Sequence, residues 1–297
     1  MSLELFLQDI INATSLGSLY ALIAIGYTMV YGILRLINFA HGDIFMLGGY
    51  IAFYAITAFF MPWWVAFIVA FGLTGIFGIC LEKAAYAPLR SSPKISIMIS
   101  AIGASFLMEN LATVIFGGRP KGFPVPEVFN TPIQIGGLYI AIVSVIIPVV
   151  TAVMLLVLVF LVQKTKTGMA MRAVSTDINA SRLMAIDVNQ IVSWTFGIGS
   201  VLAAVGGVLW AVRYPQLNPT MGMMPGLKCF IAAVIGGIGN ISGAVLGGFL
   251  LGFIEIMTIA FLPTLTGYRD AFAFVLLIIV LMVKPTGILG KNQIEKV

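Results

Sequence analysis

Apolar runs of about twenty residues recur along this 297-residue chain, each parted from the next by a short polar connector. That length is what a helix needs to cross the roughly 30 Å of hydrocarbon in a bilayer. Lipid offers the backbone no hydrogen-bonding partner, so a spanning segment must satisfy its own N–H and C=O groups, as a helix does. A transmembrane barrel would instead alternate apolar and polar residues over about ten positions per strand. Composition agrees: 60% of the residues are hydrophobic and 9% are charged, where a soluble domain carries about 25% charged. The chain reads as all-α and polytopic, one transmembrane unit over residues 1–297.

The runs place eight full spans at about 11–34, 44–60, 65–81, 95–116, 139–162, 191–212, 243–262 and 271–283. Residues 1–10 carry Glu4 and Asp9 and no basic group, so no cleavable signal peptide is expected. Pro62-Trp63-Trp64 has the composition of an interfacial anchor. The stretch 117–138 reads as a loop with four prolines, and 213–228 as an irregular connector holding Pro215, Pro219 and Pro225. Residues 229–262 form a run too long for one straight crossing. Gly236, Gly237, Gly239 and Asn240 break it into a short piece and a full span. No Gly-Lys-Ser/Thr follows these glycines, and the chain has no GxxxxGK[ST] motif, so it is not expected to hydrolyse ATP. In transporters such breaks often lie beside the substrate path; the plainer reading is a turn between two helices.

Lys and Arg give an orientation. The connectors 82–94 and 163–190, with the tail from 284, hold ten of the sixteen basic residues; 117–138, 213–228 and 263–270 hold five. The positive-inside rule puts the first set in the cytoplasm, the N-terminus outside and the C-terminus inside. The net charge of +5 follows from these loops and carries no nucleic-acid signal.

The longest polar stretch is 163–190, and it has helical signals. Gly168 is suited to end the preceding helix, and Thr176 or Asp177 to open a new one by accepting bonds from its first N–H groups. Ala180, Ser181 and Ala185 are small enough to admit another protein's surface. Arg172 and Arg182 flank that contact, and Ile186 lies beside it. A helix of this kind outside the membrane points to a docking element for a cytoplasmic partner, against the plainer reading of a solvated loop.

Few residues carry chemistry. Asn38, His41 and Asp43 form the densest polar cluster near a span, with Arg35 close by. Ionisable groups there tend to pair or to line a water path, so the cluster reads as a structural lock or as part of a substrate gate. Glu109 and Glu255 lie alone in apolar runs, as snorkelling or loop-paired acids or as members of a proton relay. Cys80 and Cys229 are far apart and suggest no metal site. No set of residues reads as catalytic.

Four segments together resemble the permease subunits of bacterial branched-chain amino-acid ABC importers, the LivH type. They are Arg35-Leu-Ile-Asn-Phe-Ala-His-Gly-Asp43, the polar stretch with Gly168, Met171-Arg172-Ala173, Ala180, Leu183-Met184 and Ile186-Asp187, then Ala233-Val-Ile-Gly-Gly-Ile-Gly-Asn240, and Lys284-Pro-Thr-Gly-Ile-Leu-Gly290. The family pattern usually has Gly where this chain has Ala185. The resemblance implies a multi-pass inner-membrane subunit that imports Leu, Ile or Val. It implies a second, related permease, two cytoplasmic ATP-binding subunits docked on 163–190, and a periplasmic amino-acid-binding protein. ATP is then hydrolysed by the partners, and this chain holds no cofactor or metal. Related permeases carry amides or sugars. The rival class is a secondary transporter driven by an ion gradient, which would want ionisable groups in mid-span.

Overall fold

The computed structural model describes residues 3–90, 92–135 and 137–290. Among these, seven helical segments are long and apolar enough to cross a membrane. They contain helices α1 (Leu3–Leu34), α3 (Trp63–Leu81), α4 (Lys94–Phe116), α6 (Ile142–Lys164), α9 (Val188–Arg213), α11 (Ile241–Phe261) and α12 (Arg269–Val283). Two others are shorter. Helix α2 (His41–Thr57) has 17 residues and α10 (Met223–Gly236) has 14, or about 25 and 21 Å at 1.5 Å per residue. Seven of the eight expected full spans are thus present among the described residues; the one expected at 44–60 is the shorter α2, and the expected short broken piece is α10.

Several boundaries moved. Helix α1 starts well before residue 11, because nothing in residues 3–10 breaks a helix and Glu4 suits the positive end of the dipole. Helix α10 starts at Met223, inside the expected connector. Its Pro225 sits in the first turn, where a missing N–H costs no internal bond. The stretch 117–138 is folded. Strand β1 (Lys121–Gly122) pairs antiparallel with β4 (Gln216–Leu217), a short helix α5 spans Glu127–Asn130, and β2 (Pro132–Ile135) pairs with β3 (Leu138–Ala141).

Helices α1 and α9 are the buried axis of the bundle, whereas the outer faces of α4, α6 and α12 are exposed. Lipid gives helices no hydrophobic reason to associate, so packing depends on close backbone approach. The α1–α11 seam shows this: a Cβ on Gly252 would lie 2.3 Å from the Gly17 nitrogen. Any larger side chain there would push the two helices apart.

Contacts sort the connectors to two ends. At one end the Arg90 guanidinium donates to Asn189 at the start of α9, and the Ile288 and Leu289 N–H groups donate to Ile235 and Gly236. At the other, β1 pairs with β4, Gln8 donates to the Tyr139 carbonyl, and Arg213 donates to Asn12. The described parts of the basic-rich connectors thus share one end. Lys291 and Lys296 lie outside the described residues.

Candidate functional site

The shortness of α2 and α10 makes the site. Helix α1 ends at Leu34, and Arg35 takes a left-handed φ of 52° that reverses the chain. Residues 35–40 then run back into the bundle. His41 opens α2 with its ring against Gly26 and 4.4 Å from the Tyr27 ring, about 12 Å back from the end of α1. From the opposite end, the chain leaves β4 and reaches Gly222, where α10 begins. The two helix starts meet. A Cβ on Gly222 would lie 2.0 Å from the Gly42 oxygen, and one on Gly226 would lie 2.9 Å from the Gly42 Cα. Only glycine permits that crossing. Neither helix start has a side-chain cap, so two positive dipole ends come together deep inside the protein.

A cavity of about 200 Å³ lies beside this junction, between α1, α2, α4 and α10. Its polar wall is Asp43, Ser105, Glu109 and the Tyr27 hydroxyl; Phe39, Ile102, Phe106, Leu227 and Phe230 form much of the rest. Asp43 is 3% exposed and accepts a 2.5 Å hydrogen bond from Ser105 Oγ. The cavity wall contains no Lys, Arg or His.

The sequence-expected gate residues separate in space. Asp43 lines the cavity. Asn38 does not: it is buried and accepts a 2.7 Å bond from the Tyr86 hydroxyl. His41 is buried against Tyr27, and among the described residues its Nε2 has no hydrogen-bond partner. Gly236, Gly237, Gly239 and Asn240 form an ordered break, with φ of 108° at Gly237 and 92° at Gly239. Asn240 caps α11 by accepting from the Gly243 N–H, and its amide donates to the Leu289 carbonyl at 2.8 Å. These residues do not line the cavity, which adjoins the other end of α10; the C-terminal segment packs on them instead.

The two remaining acids differ. Glu109 is at the cavity. Glu255 is 6% exposed and fully engaged: Lys228 Nζ lies 3.0 Å from both its oxygens, and the Tyr20 hydroxyl donates to it at 2.7 Å. Lys228 also lies 2.6 Å from Asp270, and Arg269 lies 3.5 Å from Glu255. The sequence placed Lys228 in a connector, so Glu255 meets its expected pairing with a basic connector residue; that this base lies within a helix, with Asp270 and Arg269 beside it, had no signal in the sequence.

The polar stretch is two helices set at an angle. Helix α6 stops at Lys164, and Thr165 caps α7 (Lys166–Thr176) by accepting from the Gly168 N–H at 3.0 Å. Gly168 is therefore not the end of α6 but the first turn of α7. A Cβ there would lie 2.2 Å from the Leu161 carbonyl, so glycine permits the sharp corner. Asp177 caps α8 (Ile178–Leu183), accepting from the Asn179 and Ala180 N–H groups. Arg172, Ala180, Arg182 and Ala185 are exposed and Ile186 half-buried. Ser181, read as part of the small outer face, is buried and donates to the Asp177 carbonyl. Leu183 and Met184 stand out at 87% and 77% exposed. Helix α8 ends with the Ile186 N–H bonded to Ser181 and the Ala185 N–H bonded to Arg182, a Schellman turn whose left-handed position suits Gly. Ala185 occupies it at φ 58°.

A second buried network lies just behind this surface. Glu82 is fully buried, pairs with Arg90 and accepts a 2.6 Å bond from Ser193 Oγ in α9. It opens a π-helical turn, Glu82–Tyr86, that ends in the tyrosine bonded to Asn38. Sequence reading missed Glu82, Tyr27, Ser105 and the glycines 42, 222 and 226. Their one visible signal was polar or glycine residues inside or beside apolar runs.

Residues 10–281 match the family model described as branched-chain amino acid transport system / permease component. The chain is similar to the high-affinity branched-chain amino acid transport system permease protein LivH of Escherichia coli, with 41% identity covering 98% of each protein. It is similar to the corresponding permease protein BraD of Pseudomonas aeruginosa, with 42% identity over 98% of each. A more distant likeness, 24% over 84% of this chain and 76% of the other, is to the ribose import permease protein RbsC of Haemophilus influenzae.

Proposed function

The chain belongs to the family of branched-chain amino acid transport system permease components, and on that premise we propose that it is the membrane subunit of an ATP-driven importer for Leu, Ile and Val. It is a multi-pass inner-membrane protein. It works with a second, related permease, two cytoplasmic ATP-binding subunits and a periplasmic amino-acid-binding protein. The end carrying α7 and α8 faces the cytoplasm and docks the ATP-binding subunits through Leu183, Met184 and the small face at Ala180. The N-terminus faces the periplasm.

The observation that carries this reading is the junction of α2 and α10. Two helices start inside the bundle, uncapped, beside a cavity. A continuous helix has no free polar backbone to offer a solute in the membrane; an interrupted one does. The docking surface supports the same reading, since apolar side chains as exposed as Leu183 and Met184, on a short helix fixed by caps at both ends, suit burial in a partner.

Reconstitution tests it. Proteoliposomes holding the permease pair, the ATP-binding subunits and the binding protein are expected to accumulate leucine only when ATP is supplied at the α7–α8 side. Uptake driven by a proton or sodium gradient without ATP would overturn the reading and favour a secondary transporter.

A further inference from the structure

We propose that the cavity recognises its substrate as an apolar zwitterion, with the Asp43 carboxylate receiving the substrate's ammonium group. This rests on the transport reading above and adds to it the chemistry of recognition.

Asp43 is the starting point. Carboxylates inside a membrane bundle pair with a base or lie on a functional path. Every base in the Lys228 cluster is committed to Glu255 or Asp270. Asp43 lies against the cavity, and among the described residues no ion pair reaches it; its neighbour Ser105 is neutral. The wall adds a second carboxylate, Glu109, and no cation. Asp43 is buried, Glu109 is partly exposed beside it, and neither has a base in the cavity wall, an arrangement suited to a cation from outside the chain.

The remaining wall says which kind. Phe39, Ile102, Phe106, Leu227 and Phe230 face the same space. They would bury a hydrocarbon side chain and leave sugar hydroxyls without partners. A bare inorganic cation would leave this surface unused. The third part of the substrate, its carboxylate, is matched by the positive dipole end of α10; the Met223 and Gly226 N–H groups there already bond to the Thr220 and Gly222 carbonyls, so the attraction comes from the dipole. An ammonium, a carboxylate and a branched alkyl group thus each meet a complementary part of one small cavity.

The test compares leucine with 4-methylpentanoate, which keeps the carbon skeleton and carboxylate and lacks the ammonium. Binding of each is measured by calorimetry on the assembled importer in nanodiscs, without the binding protein. The wild-type complex is expected to bind 4-methylpentanoate about tenfold to a hundredfold more weakly than leucine, the loss of one charged hydrogen-bonding partner. Asp43→Asn should weaken leucine by a similar factor and bind 4-methylpentanoate at least as well as wild type, since it removes a like charge. Asn can still accept the Ser105 bond, and a retained melting temperature shows that the variant is folded. Equal binding of the two ligands, wild-type leucine affinity in Asp43→Asn, or no leucine binding by the wild-type complex would overturn the proposal. If ATP-driven leucine uptake persists in such a case, the transport reading stands without it. If that uptake is absent from the wild-type importer, the transport reading falls, and this proposal with it.

Discussion

Two buried carboxylates flank helix α10 and have opposite surroundings. Glu255 is held by Lys228, Arg269 and Tyr20. Asp43 has one neutral hydroxyl and an open cavity. Both cost energy to bury in a membrane. The first is compensated within the chain, so its role is to fix α10 against α11 and α12. The second is not, and in the recognition proposed above its partner is the ammonium group of what occupies the cavity. The same short helix is therefore anchored on one face and available on the other. A buried acid says little about function until its counter-charge has been located.

The largest expected effect breaks the anchored side. Lys228→Met leaves the buried Glu255 without its main partner and should cost about 3 kcal/mol or more. Thermal unfolding of the purified subunit would show it as a clear drop in melting temperature and in membrane abundance. Asp43→Asn should change stability by less than about 1 kcal/mol, since the Ser105 bond survives. Equal destabilisation by the two would erase the contrast between anchor and site.

Gly237→Leu comes next. Its φ of 108° and the Gly290 nitrogen, which would lie 2.4 Å from a Cβ, both oppose any side chain. The strain should cost about 2 kcal/mol. The break adjoins the C-terminal segment and not the cavity, so leucine affinity of the folded fraction should stay at the wild-type value. Loss of affinity in that fraction would move the substrate path to the break.

Ala180→Glu acts on the proposed docking end alone. Placing an unpaired carboxylate in a buried contact should weaken retention of the ATP-binding subunits by about tenfold or more, read by pull-down. Binding of the periplasmic protein at the far end should be unaffected. Wild-type retention would reduce α8 to a connector.

The smallest effect is stabilising. Ala185 holds a left-handed turn that suits Gly, so Ala185→Gly should gain about 0.5–1 kcal/mol. Unfolding midpoints in detergent would resolve it. A loss of stability would mean that the Ala185 methyl makes contacts outweighing its backbone strain.

How legible this was in the sequence differs by region. The spans were, because bilayer thickness fixes run length, and so was the 236–240 break, because glycines interrupt an overlong run. That Thr176 or Asp177 would open a helix was readable from side chains able to accept its first N–H groups, and the structure selects Asp177. The junction of α2 and α10 was not. It depends on Arg35 turning the chain back and on Gly42, Gly222 and Gly226 meeting, residues separated by some 180 positions that no local pattern links. Lys228 was misplaced because prolines at 215, 219 and 225 suggested an irregular connector, and a proline in the first turn of a helix gives no warning of the helix behind it. At Ala185, where the family pattern usually has Gly, the backbone keeps the turn and bears the strain.

The measurement that bears most directly on this account is ATP-driven leucine uptake by proteoliposomes carrying the Asp43→Asn importer beside wild type, at equal incorporated protein. Uptake reduced by about tenfold or more is expected, in a variant that melts within a few degrees of wild type. Wild-type uptake by Asp43→Asn would contradict it, and would place the substrate somewhere other than the cavity where α2 and α10 begin.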